Sequence, residues 1–355
     1  MGKVLLAPFA ALYGLGVWFR HVLYDLHFIK SEEYDIPVIC VGNITVGGTG
    51  KTPVCEFLLE HLSSEYNIAL LSRGYHRRTK GYLEVQTTSS FRDVGDEPKQ
   101  IKLKFPEVVV AVCGDRREGI ARIRGDHPGV DMVLLDDGFQ HRHVKARTNI
   151  VLMDYTRPVY HDHLLPRGTL RDLPSQMYRA DIILVTKCPE DISAIDMRIV
   201  RKSLSLFPYQ CIFFTTLHNE APTALFADTV PQELPEGRPV VAMAGVANPA
   251  PFVSYLSERY DLVQKIFFRD HHAYVVRDLS RVEEIIAGEA PEVAVVTTEK
   301  DAVKLTNRRR IPEAIASRLY YTSVGIKFVA GQETIFLQKL KQYVRANQKH
   351  RVVHF

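Results

Sequence analysis

The eight residues from Thr45 to Thr52, reading TVGGTGKT, constrain this chain more than any other stretch. They lie between an apolar, strand-like run ending at Val41 and a helix-like run with Val54, Leu58 and Leu62 on one stripe. Pro53 stands at a tolerated first-turn position of that helix. A glycine-rich turn between strand and helix lets backbone N–H groups point inward at phosphate oxygens, and the helix N-terminus adds partial positive charge. Lys51 is then placed to reach the β- and γ-phosphates, and the Thr52 hydroxyl to ligate Mg²⁺. The run Thr45, Val46, Gly47, Gly48, Thr49, Gly50, Lys51 and Thr52 is read as a nucleotide-binding segment. Thr45 replaces the glycine that usually opens such a loop, and Gly47 and Gly48 supply the lost flexibility. The alternative is a glycine-rich turn that holds no ligand.

The same alternation continues along the N-terminal half. Near-continuous apolar runs at Pro37 to Val41, Ile68 to Leu71, Val108 to Cys113, Met132 to Leu135, Ile150 to Met153 and Ile182 to Val185 read as strands. Strands apolar at every position are covered on both faces, so the expected fold class is α/β, with a doubly wound, mostly parallel sheet. A second α/β pattern follows, with strands at Pro239 to Met243, Leu262 to Phe268 and Val293 to Thr297 and a helix starting over Pro249 to Leu256. The proline-bearing stretch Asn219 to Arg238 reads as a boundary. Two β-rich runs, Cys211 to Leu217 and Leu319 to Phe328, flank the second unit, and pairing them makes a two-stranded hinge. The expected organisation is an apolar helix in 1–30, a phosphate-loop domain in 31–210, a smaller α/β domain with its hinge strands in 211–328, and a helix returning to the first domain in 329–355.

Composition excludes several classes. A chain of 355 residues exceeds one typical core, and 46% hydrophobic with 24% charged residues is ordinary for a folded globular protein. A net charge of +4 does not identify a nucleic-acid binder, and neither nucleic acid nor an obligate protein partner is expected. The five cysteines form no C-x-x-C pair and read as reduced thiols in a cytosolic setting. The N-terminus is unusual, because Val4 to Phe19 carries no charged side chain. Sixteen helical residues span roughly 24 Å, short of a hydrocarbon core of about 30 Å. Pro8, Gly14 and Gly16 weaken a straight spanning helix, and Val17-Trp18-Phe19 is a poor cleavage site. Tyr13 and Trp18, with Lys3, Arg20 and Lys30, suit a helix lying in one leaflet. A helix buried in the fold or in a dimer, or a targeting segment, are the alternatives.

A phosphate loop needs a second acid for its metal. Val133-Leu134-Leu135-Asp136-Asp137 is an apolar strand ending in two carboxylates about 85 residues beyond Lys51, as the partner acid of such an enzyme should be. Asp136 or Asp137 would hold Mg²⁺ directly or through water. Thr186-Lys187-Cys188-Pro189 has the outline of a guanine-reading N/T-K-x-D segment, but Pro189 stands where the aspartate would be, so ATP is the expected nucleotide.

Taken in order, the segments VGNITVGGTGKTP (Val41 to Pro53), SRGY (Ser72 to Tyr75), VGDEP (Val94 to Pro98), DDGFQHR (Asp136 to Arg142), LLPRGTLRD (Leu164 to Asp172), AGVANP (Ala244 to Pro249), FRDHHAY (Phe268 to Tyr274) and TTEKDAVKL (Thr297 to Leu305) resemble the tetraacyldisaccharide 4'-kinase family of Gram-negative lipid A synthesis. The likeness spans most of the chain, with departures in Pro166-Arg167-Gly168-Thr169-Leu170-Arg171-Asp172. It implies two domains and an ATP-dependent kinase that forms lipid IVA by phosphorylating the 4'-hydroxyl of an acylated glucosamine disaccharide 1-phosphate. It also implies a peripheral or monotopic location at the cytoplasmic face of the inner membrane.

Roles follow from the same resemblance. A sugar hydroxyl is a weak acid, so transfer needs a carboxylate to take its proton. Asp96 of VGDEP is the implied base, with His271 of FRDHHAY pairing with it from the second domain and Lys51 on the phosphates. Unaided, Asp96-Glu97-Pro98 reads as a turn and Asp270-His271-His272 as a solvated loop. Glu97 is a weaker candidate for supporting the metal, after Thr52, Asp136 and Asp137. Positive charge gathers at Arg73 to Arg78 and Arg116 to Arg122, each following a strand. Arg73 and Arg117 are candidates for the substrate 1-phosphate, and Gln140 and His141 for sugar contacts. Arg308-Arg309-Arg310 reads as surface or lipid-head-group contact. A nucleotide switch or assembly ATPase at a membrane would share the loop, metal site and apolar helix, but would make no phosphorylated lipid.

Overall fold

The computed structural model describes residues 5–229, 231–289 and 292–349. Its strands are β1 (Val38–Asn43), β2 (Ile68–Ser72), β3 (Leu83–Glu84), β4 (Val109–Val112), β5 (Met132–Asp136), β6 (Thr148–Asp154), β7 (Ile182–Thr186), β8 (Cys211–Asn219), β9 (Thr223–Ala224), β10 (Pro239–Ala244), β11 (Asp261–Phe267), β12 (Ala294–Thr298), β13 (Leu319–Thr322) and β14 (Val324–Phe328). They form a nine-stranded sheet in the order β14-β8-β7-β6-β1-β5-β2-β4-β3 and a five-stranded sheet in the order β11-β10-β12-β13-β9. The large sheet is parallel except at its two edges, where β3 and β14 run antiparallel to β4 and β8. In the small sheet only β9 is antiparallel.

The central strands are apolar throughout because both faces are covered. Alternate residues of β1 go to opposite sides. Ile39 and Val41 join a core with Val54, Leu58 and Leu62 of the helix Lys51–Leu62, while Val38 and Cys40 join one with Ile120 and Ile123 of the helix Arg116–Asp126. The C-terminal helix Glu333–Lys349 returns to the large sheet as expected and buries Phe336, Leu340 and Val344, spaced four residues apart on one stripe. Phe336 packs against Phe57, Phe213 and Phe328 there.

The expected pairing of the two flanking β-rich runs is present. β8 and β14 pair antiparallel, from Asn219 opposite Val324 to Thr215 opposite Phe328. The second run is divided at Ser323, so that β13 belongs to the small sheet and β14 to the large one. The pair is also the edge of the nine-stranded sheet, since β8 pairs parallel with β7.

Asp96-Glu97-Pro98, read alone as a turn, opens the helix Asp96–Lys104 instead. Gly95 precedes it at φ 95°, where a Cβ would stand 3.2 Å from the Tyr75 carbonyl, so glycine is needed. Two acidic residues and a proline in the first turn suit a helix start. No helix among the described residues is long and apolar enough to cross a membrane.

Candidate active site

The phosphate loop leaves the C-terminal end of β1, the middle strand of the large sheet, where neighbouring strands diverge to either side. Gly47 (φ 97°) and Gly50 (φ 85°) take conformations that side chains disfavour, and a Cβ on Gly48 would meet nothing. The loop is held from below. Asn43 Nδ2 donates to Thr49 Oγ1 at 2.9 Å, and Thr186 Oγ1 donates to the Thr49 carbonyl at 2.8 Å. Lys187 bonds the Gly48 carbonyl and, at 2.7 Å, Asp154. Val46 N–H donates to the Thr169 carbonyl at 2.8 Å, which fixes the loop's other flank. The segment that Pro189 disqualified for guanine therefore contacts the phosphate loop itself. Thr52 lies half-buried in the first turn of the following helix.

The strand register places Asp136 beside Val41, at the foot of the loop. Asp136 is buried and accepts from Ser72 Oγ at 2.8 Å. Burial and then the charge of Asp137 push its pKa up. Asp137 adopts φ 51° and meets Arg171, whose Nη1 donates to Oδ2 at 3.0 Å, while Lys51 Nζ lies 3.7 Å from Oδ1. Burial acts to raise the pKa of Asp137, but the Arg171 hydrogen bond and the Lys51 charge together bring it below the usual range. Glu97 is pushed up by burial and then by Asp136, and it also feels Lys51, Lys300 and His271. One carboxyl is thus in electrostatic reach of both the phosphate loop and the small sheet.

His271 projects from the loop after β11 and meets Asp96 across the two sheets, with Nδ1 2.8 Å from Asp96 Oδ2. Lys300 Nζ lies 3.3 Å from the other ring nitrogen and 3.0 Å from Asp270. An ammonium only donates, so this pattern assigns the tautomer in which Nδ1–H donates to Asp96 and Nε2 accepts. Lys304 Nζ approaches the same Asp96 oxygen at 3.6 Å. Burial works to raise the pKa of Asp96, and the His271 hydrogen bond with the Lys304 charge lowers it below the usual carboxylate range. His271 (φ 57°), Asp137 and Lys187 (φ 58°) all hold left-handed backbone, which costs roughly 1–3 kcal/mol each and clusters at functional sites.

The remaining candidates divide. Arg73 is exposed and makes no hydrogen bond or ion pair among the described residues. Gln140 Nε2 donates to the Asn43 carbonyl at 2.7 Å, which ties it to the loop's stem. His141 accepts from Arg116 N–H at 3.3 Å, and burial followed by the Arg116 charge lowers its pKa to about 4. Arg117 is not brought to this group. Its guanidinium is bound by Asp115 at 2.7 Å and faces Glu32 at 3.5 Å, while its neighbour Arg116 is the buried one, with Nη2 donating to the Asp136 carbonyl at 3.4 Å. Arg308 is likewise engaged, by Asp228 and Glu313.

The sequence pattern of the tetraacyldisaccharide-1-P 4'-kinases matches residues 2–345 of this chain. The chain belongs to that family. The tetraacyldisaccharide 4'-kinase of Phocaeicola vulgatus is 39% identical over 352 residues, covering 97% of this chain and 96% of its own. That of Porphyromonas gingivalis strain W83 is 40% identical over 343 residues, covering 94% and 95%. Among solved structures, LpxK from Aquifex aeolicus in complex with ATP superposes with a TM-score of 0.74 at 26% identity, covering 98% of this chain and 99% of that one. A tetraacyldisaccharide 4'-kinase is a phosphotransferase, which removes the nucleotide-switch alternative.

In this 4'-kinase several site residues went unremarked by sequence reasoning. Asn43 and Arg171 stand inside the quoted segments VGNITVGGTGKTP and LLPRGTLRD, so their signal was available without a role. Arg171 also bonds the Asn43 side chain, linking the loop's stem to Asp137. Gly168 in that segment faces Asp162 and His163, where a Cβ would come within 2.3 Å of both, so only glycine fits. Asp154 had no signal beyond lying at a strand end, and Thr186 and Lys187 carried only the outline of an incomplete guanine-reading segment.

Proposed function

We propose that the chain transfers the γ-phosphate of ATP to the 4'-hydroxyl of a tetraacyldisaccharide 1-phosphate at a membrane surface, with Asp96 as base. The observation that carries this reading is the 2.8 Å contact between Asp96 and His271, which joins a base to its partner across the two sheets. The phosphate loop binds the triphosphate through its backbone, with Lys51 on the β- and γ-oxygens. Asp96 Oδ2 is held by His271 and Lys304, leaving Oδ1 to take the proton of the 4'-hydroxyl. The sugar oxygen then forms its bond to the γ-phosphorus as the bond to the β–γ bridging oxygen breaks, and ADP leaves with that electron pair.

Mg²⁺ fits the donor set. Thr52, Asp136, Asp137 and Glu97 offer hard oxygen donors, and the raised pKa values of Asp136 and Glu97 record crowding that a divalent cation relieves. No three His, Cys, Asp or Glu side chains among the described residues converge as a cage. When bound, it neutralises charge on the transferring phosphoryl group. Arg73 is the candidate for the acceptor's 1-phosphate.

The N-terminal helix Ala7–Asp25 supports the membrane reading. It exposes Phe9, Leu12, Leu15, Trp18 and Phe19 while burying Ala10, Gly14, His21 and Tyr24 against the fold. An apolar face with an interfacial tryptophan suits a lipid surface, here the cytoplasmic face of the inner membrane. Incubating the purified chain with ATP, Mg²⁺ and the acylated disaccharide 1-phosphate should add one phosphoryl group to the lipid by mass, and Asp96→Asn should abolish that gain. ATP hydrolysis without a phosphorylated lipid would overturn the reading.

A further inference from the structure

Lys304 lies in the turn after the short helix Glu299–Ala302, and its side chain is 0% exposed. An unpaired ammonium so buried would cost several kcal/mol, so its surroundings have to compensate it. Asp301 Oδ1 does so at 2.9 Å. Asp301 is itself locked, since its Oδ2 accepts from Gly245 N–H at 2.7 Å and from Thr298 Oγ1 at 2.9 Å. Three segments of the small sheet, ending β10, ending β12 and following it, therefore fix the ammonium in place. Its second carboxylate, Asp96 Oδ2 at 3.6 Å, comes from the helix packed on the large sheet. A lysine needed only for the small sheet's stability would be satisfied by Asp301.

We propose that Lys304 is a positioning residue for phosphoryl transfer, holding Asp96 Oδ2 together with His271 so that Oδ1 meets the acceptor hydroxyl in its ionised form. The inference rests on the reading of Asp96 as base. The His271 N–H and the Lys304 ammonium meet on one oxygen and orient the carboxylate, and both come from the small sheet, so the base is set only when the sheets are apposed. The charged and titratable groups around this pair are His271 and Asp270 after β11, Lys300 and Asp301 after β12, Tyr75 and His76 against the His271 ring, and Glu97 on the same helix. With Lys304 neutralised, His271 alone holds Asp96 Oδ2, and the carboxylate is freer to turn away from the acceptor hydroxyl.

The test uses the full-length chain with ATP, Mg²⁺ and the acylated disaccharide 1-phosphate in detergent micelles. Lys304→Met should lower kcat by on the order of 10²-fold with KM for ATP within about twofold, as a misplaced base does. Lys304→Arg should recover part of the lost kcat but stay below the parent, because charge returns but geometry does not. Lys304→Gln is read in the same way where the Met variant does not fold. Should both neutral variants fail to fold, an Arg variant with parental kcat overturns the proposal. So do parental turnover in Lys304→Met, or a loss confined to KM for ATP. Asp96→Asn separates the two readings. Parental turnover there removes the base assignment, whereas an inactive Asp96→Asn beside a normal Lys304→Met removes the role of Lys304 alone.

Discussion

Tyr13 donates its hydroxyl to the backbone carbonyl of Arg171 at 2.9 Å, tying the N-terminal helix to the residue whose guanidinium holds Asp137. Two further contacts repeat the arrangement. Arg20 Nη2 donates to the Gln140 carbonyl at 2.6 Å, and His21 Nε2 pairs with the buried Asp172 at 2.6 Å. The helix with the exposed apolar face is thereby built into the walls of the site. Deleting residues 1–28 should release the protein from vesicles and also reduce turnover more than tenfold in detergent. Tyr13→Phe should leave vesicle binding intact and lower kcat several-fold, the scale of one hydrogen bond worth about 1 kcal/mol. Sedimentation with vesicles, measured beside turnover, separates the two effects.

Lys51→Ala should reduce phosphoryl transfer by on the order of 10³-fold, since a fixed charge on the transferring group is worth several kcal/mol in a desolvated site. Circular dichroism and the thermal midpoint should stay near the parent's, because Lys51 is partly exposed and its one ion pair is a 3.7 Å contact. Turnover within tenfold of the parent would show that the loop does not grip the phosphates.

Arg171→Ala removes the hydrogen bonds that hold Asp137 and the Asn43 side chain. Burial then acts on Asp137 with the Lys51 and Arg116 charges left to oppose it, and its pKa should rise. The Mg²⁺ concentration for half-maximal activity should increase at pH 6 and move back toward the parent's at pH 8, as the carboxylate ionises again. An unchanged Mg²⁺ dependence at both values would separate Asp137 from the metal.

Gln100 Nε2 donates to Glu56 Oε1 at 2.7 Å and to Glu299 Oε2 at 3.0 Å, while Lys104 pairs with Glu56 at 2.7 Å. Burial, then the charge of Glu56, pushes Glu299 up to about 7. A carboxyl raised above its unfolded value of about 4.3 binds more protons in the folded chain, so its contribution to stability is lost as pH rises from there through 7. Glu299→Gln keeps an acceptor for Gln100 and removes that titration. Its thermal midpoint should gain on the parent's between pH 5 and pH 8, and parallel curves would contradict the shift.

Most strands of both sheets were legible because each carries a near-continuous apolar run, and the structure moves their ends by only a residue or two. The two-residue strands β3 and β9 carry no such pattern, being edge pairings made by tertiary contact. Asp96 to Pro98 was misread because aspartate and proline also favour turns, and only the left-handed Gly95 decides for a helix. The placement of Arg117 away from the site group carried no sequence signal either. Asp115 caps the helix through Arg117 N–H and takes the Arg117 side chain with it, which turns Arg116 inward. Lys304 gave no hint of a site, since a fully buried lysine in TTEKDAVKL looks in sequence like any solvated one.

The chain passes between the two sheets beside itself, from β8 toward β9 and back from β13 into β14. Glu220 N–H bonds the Ser323 carbonyl at 3.0 Å, and Thr322 Oγ1 donates to the Glu220 carbonyl at 2.6 Å, so the two crossings are stitched together where they leave the large sheet. A lobe hung from paired straps resists twisting, so the imidazole of His271 is kept in line with the carboxylate of Asp96.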